Sequence, residues 1–342
     1  MKKILVIRLS AIGDVAMTVP AVWSLLKAYP DAEITFVSQK FAGGFLKHIP
    51  AVYHYEVDLK GRHKGFFGIF RLYSDLKKIG KFDIVADLHD VIRTKILRFL
   101  FFFSSSKIVT IDKGRAEKYN LTKIDGKVLK QLPTTVSRYA DVFYKAGFKF
   151  EVEFDYLFTK SPLNEKILSI TGIRENHWIG IAPFAKHKGK IYPLDKMEKV
   201  VELLSVRPNV KIFLFGGGAE EKAILESWEK RFNNTISLAG KLNIEDELKV
   251  ISNLEVLLSM DSANMHFASL VNTTVVSVWG ATHPFAGFYG WKQNPTHALQ
   301  INLPCRPCSI YGNKACFRKD YACLNLILPE DIVGKIFGEI IT

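Results

Sequence analysis

The chain has 342 residues, 48% of them hydrophobic and 24% charged, with 47 Lys and Arg against 34 Asp and Glu, a formal charge of +13. This excludes a disordered chain, a collagen-like repeat and a small disulfide-stapled domain; the length predicts two domains, each able to bury a core without metal or disulfides. Four cysteines, at 305, 308, 316 and 323, are too few and too local for a secreted framework, so a reducing, cytoplasmic setting is expected.

The opening MKKILVI imitates the head of a secretory signal, but Arg8 and Asp14 fall inside the would-be apolar region, so no leader is expected. KILVIRL at 3–9 is an apolar, β-branched run, the mark of a strand buried on both faces of a parallel sheet. A helix over 15–29 should follow, closed by Pro30. AEITFVS (32–38), FDIVADL (82–88) and KIVTID (107–112) read as further strands. Between the last two, ILRFLFFF at 96–103 is eight residues with Arg98 inside, against the roughly 20 needed to span a bilayer. After a hydrophilic stretch at 161–164 the pattern restarts with WIGIAPF (178–184), KIFLFGG (211–217), VLLSMD (256–261) and TVVSVWG (274–280), and the chain closes on a helix over 329–341.

The fold class is therefore α/β, with two units in tandem, each a mostly parallel sheet flanked by helices. The expected boundaries are 1–158, 159–328 and a closing segment 329–342. In such sheets ligands bind beyond the carboxyl ends of the strands, so a cleft between two facing domains is the expected site.

Charge is distributed unevenly. Residues 1–155 carry 26 basic against 16 acidic residues, and 17 against 7 of these lie within 60–130, which accounts for the whole excess of that half. The basic residues alternate with aromatics, as in KGRHKGFFGIFRLY (60–73) and RTKILRFLFFF (93–103). Such a stretch is either a solvated face beside core phenylalanines or a surface for an anionic partner, including reversible docking on an anionic bilayer. Nucleic acid is not expected, because no helix-turn-helix, zinc-finger or RNP-type motif accompanies the charge.

Four constellations could carry chemistry. In SAIGDVAMTVP, Gly13 and Asp14 sit at the turn from the first strand into the first helix, where glycine permits a tight turn and an acid suits the dipole or simply caps the helix. In MDSANMH, Asp261, Ser262 and Ala263 follow a buried strand, and a helix start there offers backbone N–H groups to a diphosphate. Asp261 would brace that turn, and His266, one turn on, is either a core histidine or a ligand contact. Lys186, Lys188 and Lys190 lie on the loop after the first strand of the second unit, as solvated surface or as phosphate neutralisers. GGGAEE at 216–221 ends another strand, and either glutamate could accept from a ribose hydroxyl. Finally Cys305, Cys308, Cys316 and Cys323 could hold a structural zinc, remain reduced thiols, or pair locally.

Taken together, ILVIRLSAIGDVAMTVPAV, KIYP (190–193), LAGKLNIEDELKVI (238–251), MDSANMHFAS, WGATHP (279–284) and the cysteine-bearing tail resemble the bacterial lipopolysaccharide heptosyltransferases, glycosyltransferase family 9. The resemblance implies a GT-B arrangement: two Rossmann-like domains facing across a cleft, acceptor on the first, nucleotide sugar on the second, and the closing helix packed back on the first. It implies an inverting transferase moving heptose from an ADP-sugar to the Kdo or heptose of the inner core on lipid A, with no obligatory cofactor. Asp14 would be the general base and Lys190 would meet the donor phosphates. Ser262, Ala263 and His266, with Asp261 and Gly13, would contact the donor; Leu242 would line the adenine pocket and Glu221 bind ribose. Lys60, Arg62, His63 and Lys64 are the candidates for an anionic, membrane-borne acceptor. The family usually has glycine where Ala263 stands, so a left-handed backbone there would strain this chain. The partners implied are the sugar nucleotide, the glycolipid and the cytoplasmic face of the inner membrane, contacted peripherally by a monomer. The alternatives are a relative using another nucleotide sugar, or a non-catalytic binding protein of the same fold.

Overall fold

The structure, a computed structural model, describes residues 2–341. By internal contacts the chain divides into two compact units, one made of residues up to Lys113 with Thr135–Leu157, the other of Gly114–Thr134 with residues from Phe158 on.

The first unit contains β1 (Lys2–Ile7), α1 (Ile12–Ala16), α2 (Val19–Ala28), β2 (Ala32–Ser38), α3 (Gly43–Leu46) and β3 (Val52–Glu56). It continues with α4 (Gly65–Ile79), β4 (Ile84–Asp87), α5 (Ile92–Phe102) and β5 (Lys107–Thr110); then, after α6 (Arg115–Thr122), which belongs to the other unit, it ends with α7 (Thr135–Ala146). Its sheet is parallel with order β3-β2-β1-β4-β5. Ile4, Leu5, Val6 and Ile7 of β1 are fully buried between β2 and β4, which is why that segment reads as one apolar run. The helix expected over 15–29 is two helices, because Pro20 cannot continue a helical ladder and instead sits in the first turn of α2.

The second unit contains α8 (Glu165–Thr171), β6 (His177–Ala182), α9 (Leu194–Ser205), β7 (Val210–Leu214), α10 (Ala219–Arg231) and β8 (Thr235–Ser237). There follow α11 (Ile244–Ile251), β9 (Val256–Met260), α12 (Ala263–Leu270), β10 (Thr274–Val278), β11 (Ala298–Leu299), α13 (Ala322–Asn325) and α14 (Pro329–Ile341). All its strands are parallel, in the order β11-β10-β9-β6-β7-β8.

Two boundary expectations change. The closing helix α14, expected to pack on the first domain, groups with the second unit. Its stripe of Ile332, Val333 and Ile336 packs with Met197, Val200, Val201 and Leu204 of α9 over β9 and β10, completing the second unit's own core. Residues 114–134, expected in the first domain, belong to the second. Leu132 N–H donates to the Phe285 carbonyl (2.9 Å), Lys127 Nζ to the carbonyls of Pro304 and Cys305 (3.2 and 2.9 Å), and buried Lys118 lies 4.7 Å from the Phe288 ring centroid.

Among the described residues no helix is long and apolar enough to cross a membrane.

Candidate active site

In each sheet the strand order reverses beside the first strand, between β1 and β4 in one unit and between β6 and β9 in the other. Diverging loops open a crevice at such a switch point beyond the carboxyl ends of the strands. The loops that reach the two switch points are 8–14 and 88–90 in the first unit, and 183–190 and 261–263 in the second.

At the first switch point Asp14 is the third residue of α1, not its cap. Its Oδ2 meets the Arg8 guanidinium at 2.6 Å and accepts the Ala11 N–H at 3.2 Å. Its side chain stays 31% exposed, and among the described residues Oδ1 accepts no hydrogen bond. Arg8 is buried, donating also to the Leu88 carbonyl (2.9 Å), and Tyr139 Oη donates to the Asp14 carbonyl (3.2 Å). His89 Nδ1 accepts the Leu9 N–H (3.4 Å), leaving the proton on Nε2. Burial, then the nearby charges of Arg8 and Lys113, bring that imidazole down to about 3. Gly13 is an ordinary helical residue, absent from the positive-φ set, so it is not there for a left-handed turn.

At the second switch point Lys190 Nζ lies 2.8 Å from Asp261 Oδ2, which also accepts from Thr282 Oγ1 at 2.8 Å. Asp261 is 3% exposed and Lys190 15%, so the pair is largely withdrawn from water and the cation is its more exposed member. Three glycines set this loop. The Gly189 carbonyl accepts the Ala281 N–H (2.8 Å), its N–H reaches the Gly312 carbonyl (3.2 Å), and a Cβ at Gly189 would stand 2.8 Å from that oxygen. A Cβ at Gly280 would meet the Gly189 carbonyl at 2.6 Å, and one at Gly312 the Lys190 Cγ at 2.6 Å. Arg306, also buried, pins the following turn by donating to the carbonyls of Gly280, Ile301 and Thr282.

Ser262 caps α12 with extended backbone, but its hydroxyl turns to Ser259 (3.3 Å) and takes none of the helix's first-turn N–H groups. Ala263 is the first helical residue with no positive φ, so alanine is unstrained there. His266 is buried within α12. Farther along the same rim Glu221, in the first turn of α10, accepts the Gly217 N–H at 2.7 Å, and half-buried Leu242 follows β8.

The acceptor candidates part ways. Lys60 and Lys64 are exposed, whereas His63 is 3% exposed, its Nδ1 accepting the Asp58 N–H (3.1 Å) and its Nε2 donating to Asp75 (3.2 Å). Arg62 grips the same carboxylate through two bonds (2.7 and 2.8 Å), holding Asp75 well below the usual carboxylate range. His63 is thus a structural residue, and Arg62 is shared between its loop and solvent.

Of the three states open to the cysteines, the structure gives no support to the zinc site. The four thiols are free, and among the described residues no three His, Cys, Asp or Glu side chains converge as a metal site. Cys323 belongs to the second unit's apolar core, where burial pushes its thiol up to about 11.

Sequence reading missed Arg8, His89, Thr282 and the Gly189–Gly280–Gly312 contact. Arg8 was visible as a charge inside an apolar opening, and Gly280 and Thr282 lie in the WGATHP motif, but nothing local showed their partners.

The sequence profile described as glycosyltransferase family 9 (heptosyltransferase) matches residues 69–316. The chain belongs to that family. It is a glycosyltransferase of the GT-B class, and its two Rossmann-like units are those of the family's fold. It is similar to lipopolysaccharide heptosyltransferase 1 of Campylobacter coli, 26% identical over 98% of this chain and 99% of the relative. Among solved structures it resembles the glycosyltransferase family 9 protein of Veillonella parvula (TM-score 0.75, 20% identity, 99% of this chain and 97% of that one). It also resembles the E. coli heptosyltransferase WaaC with ADP (TM-score 0.70, 17% identity, 98% and 99%).

Proposed function

We propose that this family 9 glycosyltransferase moves a heptose from ADP-heptose onto the inner core of lipopolysaccharide, a Kdo or heptose unit carried on lipid A, with inversion at the anomeric carbon. The observation that carries the donor side is the Lys190–Asp261 pair beside the uncapped start of α12. Departure of a nucleoside diphosphate builds negative charge, which a fixed ammonium and free helix N–H groups offset. From that point the rim runs outward through β6, β7 and β8, bringing Glu221 and then Leu242. Two strand spacings, about 10 Å, suit the order diphosphate, ribose, adenine.

On the acceptor side, Asp14 is held by Arg8 through one oxygen while Oδ1 is left to take a proton from the attacking hydroxyl. Burial first, then Arg8, Lys113 and Arg93 acting against Asp14, keep His89 neutral with Nε2–H as a donor, and the excess of cations around it favours an anionic acceptor sugar. The acceptor is a glycolipid, so on this reading the chain works as a monomer at the cytoplasmic face of the inner membrane.

The test offers the protein radiolabelled ADP-heptose and, separately, UDP-hexoses, with a heptose-deficient core acceptor. Transfer from ADP-heptose alone supports the proposal. Transfer only from a UDP-sugar assigns another donor, and donor binding without transfer marks a non-catalytic binder. The Arg8–Asp14 geometry supports the base role, and the Asp14→Asn variant addresses it directly.

A further inference from the structure

Helices α4 and α5 each carry the chain from the carboxyl end of one strand to the amino end of the next, so they run the same way along one face of the first sheet, packed against each other. Their inner stripe, with Ile69, Leu72, Leu76, Leu97 and Phe101, lies in the core. The outer stripe of a water-facing helix should be polar. Here it carries Phe66 (58% exposed) and Phe67 (76%) at the start of α4, and Phe99 (63%), Phe102 (71%) and Phe103 (74%) at the end of α5. Each set is a ring cluster. Phe66 meets Phe67 and Phe70 at 5.8 and 5.2 Å, and Phe103 meets Phe99 and Phe102 at 5.4 and 5.6 Å. Because the helices run in one direction, the start of one and the end of the other put these clusters at opposite ends of the two-helix face.

The charges on the same helices have one sign toward solvent. Arg71, Lys77, Lys78 and Lys95 are exposed, and Lys60 and Lys64 extend the series from the preceding loop. The acids of the region are taken up: Asp75 by Arg62, His63 and, at 3.7 Å, Lys78; Asp90 by Arg98 and, at 3.9 Å, Lys95; Asp87 is fully buried, and the exposed Asp58 accepts the backbone N–H groups of Lys60, Gly61 and Arg62.

We propose that the outer face of α4 and α5 docks this chain on an anionic phospholipid bilayer, the helices lying along the interface and the phenylalanines entering the acyl boundary at both ends. A bilayer answers both features at once, apolar side chains that need no shaped groove and a positive field that needs anionic headgroups. A second copy of the same face would set two positive fields against each other. Relying on the proposed glycolipid acceptor, docking has a further consequence: the start of α4 lies on the carboxyl rim of the sheet, the same rim as Asp14, so the surface that meets lipid also delivers the acceptor.

The experiment is co-sedimentation of the full chain with vesicles of phosphatidylglycerol and phosphatidylethanolamine, and with phosphatidylcholine alone, at rising salt. Binding to the anionic vesicles that weakens with salt is expected. Phe66→Ser/Phe67→Ser/Phe70→Ser and Phe99→Ser/Phe102→Ser/Phe103→Ser should each weaken it by about tenfold or more. Lys77→Glu/Lys78→Glu/Lys95→Glu should weaken it about a hundredfold. All three variants should keep transfer to a delipidated, water-soluble acceptor. Undiminished binding by the phenylalanine variants, or equal binding to phosphatidylcholine, overturns the proposal. So does a dimer that these variants abolish while vesicles stay unbound. Vesicle binding without any heptosyl transfer would strike the proposed function and leave the docking face standing.

Discussion

The two switch points are built from the same parts and leave their aspartates in opposite conditions. Asp14 and Asp261 both follow a central strand, both stand at a helix start and both meet a cation, Arg8 at 2.6 Å and Lys190 at 2.8 Å. Asp14 keeps 31% of its side chain exposed and one oxygen open, whereas Asp261 keeps 3% and shares its Oδ2 between Lys190 and Thr282. The cations differ in the reverse sense, since Arg8 is buried and Lys190 is the more exposed member of its pair. In one unit a buried cation presents a carboxylate, and in the other a buried carboxylate presents a cation. The first arrangement suits a group that must accept a proton, the second one that must meet phosphate.

If that contrast is functional, Asp14→Asn removes the proton acceptor and should cost about a thousandfold in kcat while leaving the affinity for ADP-sugar unchanged. A rate within threefold of the parent would take Asp14 out of the mechanism. Lys190→Ala should lower kcat/KM by about a hundredfold or more, with KM for the donor rising. It should also destabilise the second unit by about 3 kcal/mol, because Asp261 is left buried with Thr282 alone. A thermal or denaturant melt checks this; Asp14→Asn also leaves a buried cation, Arg8, without its carboxylate, so donor affinity rather than the melt separates the two variants.

Two buried groups, one in each unit, should respond oppositely to pH. His89 titrates near 3 in the folded chain against 6.5 when unfolded, so its contribution is present above 6.5 and is lost as pH falls toward 3. Glu247, on α11, is pushed up by burial to about 7 against 4.5 when unfolded, so it favours the fold below 4.5 and that advantage fades as pH rises through 7. Glu247→Gln should therefore match the parent at pH 4.5 and exceed it by about 3 kcal/mol at pH 8. Parallel stability curves across that range would show that this carboxyl is not buried in its neutral form. The smallest effect is expected at Gly189→Ala, where the added methyl presses on the Gly312 carbonyl and Ala281, at a cost of about 2 kcal/mol. Weaker donor binding should accompany it, and unchanged binding would show that Lys190 does not depend on this contact.

Much of the fold could be read from residue order because strands buried on both faces announce themselves as continuous apolar runs, as KILVIRL and VLLSMD do. The edge strands β3, β8 and β11 escaped for the converse reason. β3 is half exposed along VYHYE, and β8 and β11 are three and two residues long. The candidate donor and acceptor groups were legible where they lie between a strand and the helix that follows it or in that helix's first turn, as Asp14, Lys190, Asp261 and Ser262 do. That His63, a candidate acceptor group, is buried could not be read locally, because its partner Asp75 lies a dozen residues away, on α4.

Residue order by itself determined the two tandem α/β units, the loops that reach their carboxyl rims and the basic, aromatic stretch between 60 and 103, since each is a matter of local composition and period. Only the tertiary structure decided that residues 114–134 and α14 belong with the second unit, that Arg8 steadies Asp14, and that three distant glycines seat Lys190. These depend on backbone approach and long-range pairing, and a local pattern of apolar and polar residues shows which face of an element is buried but not which partner covers it.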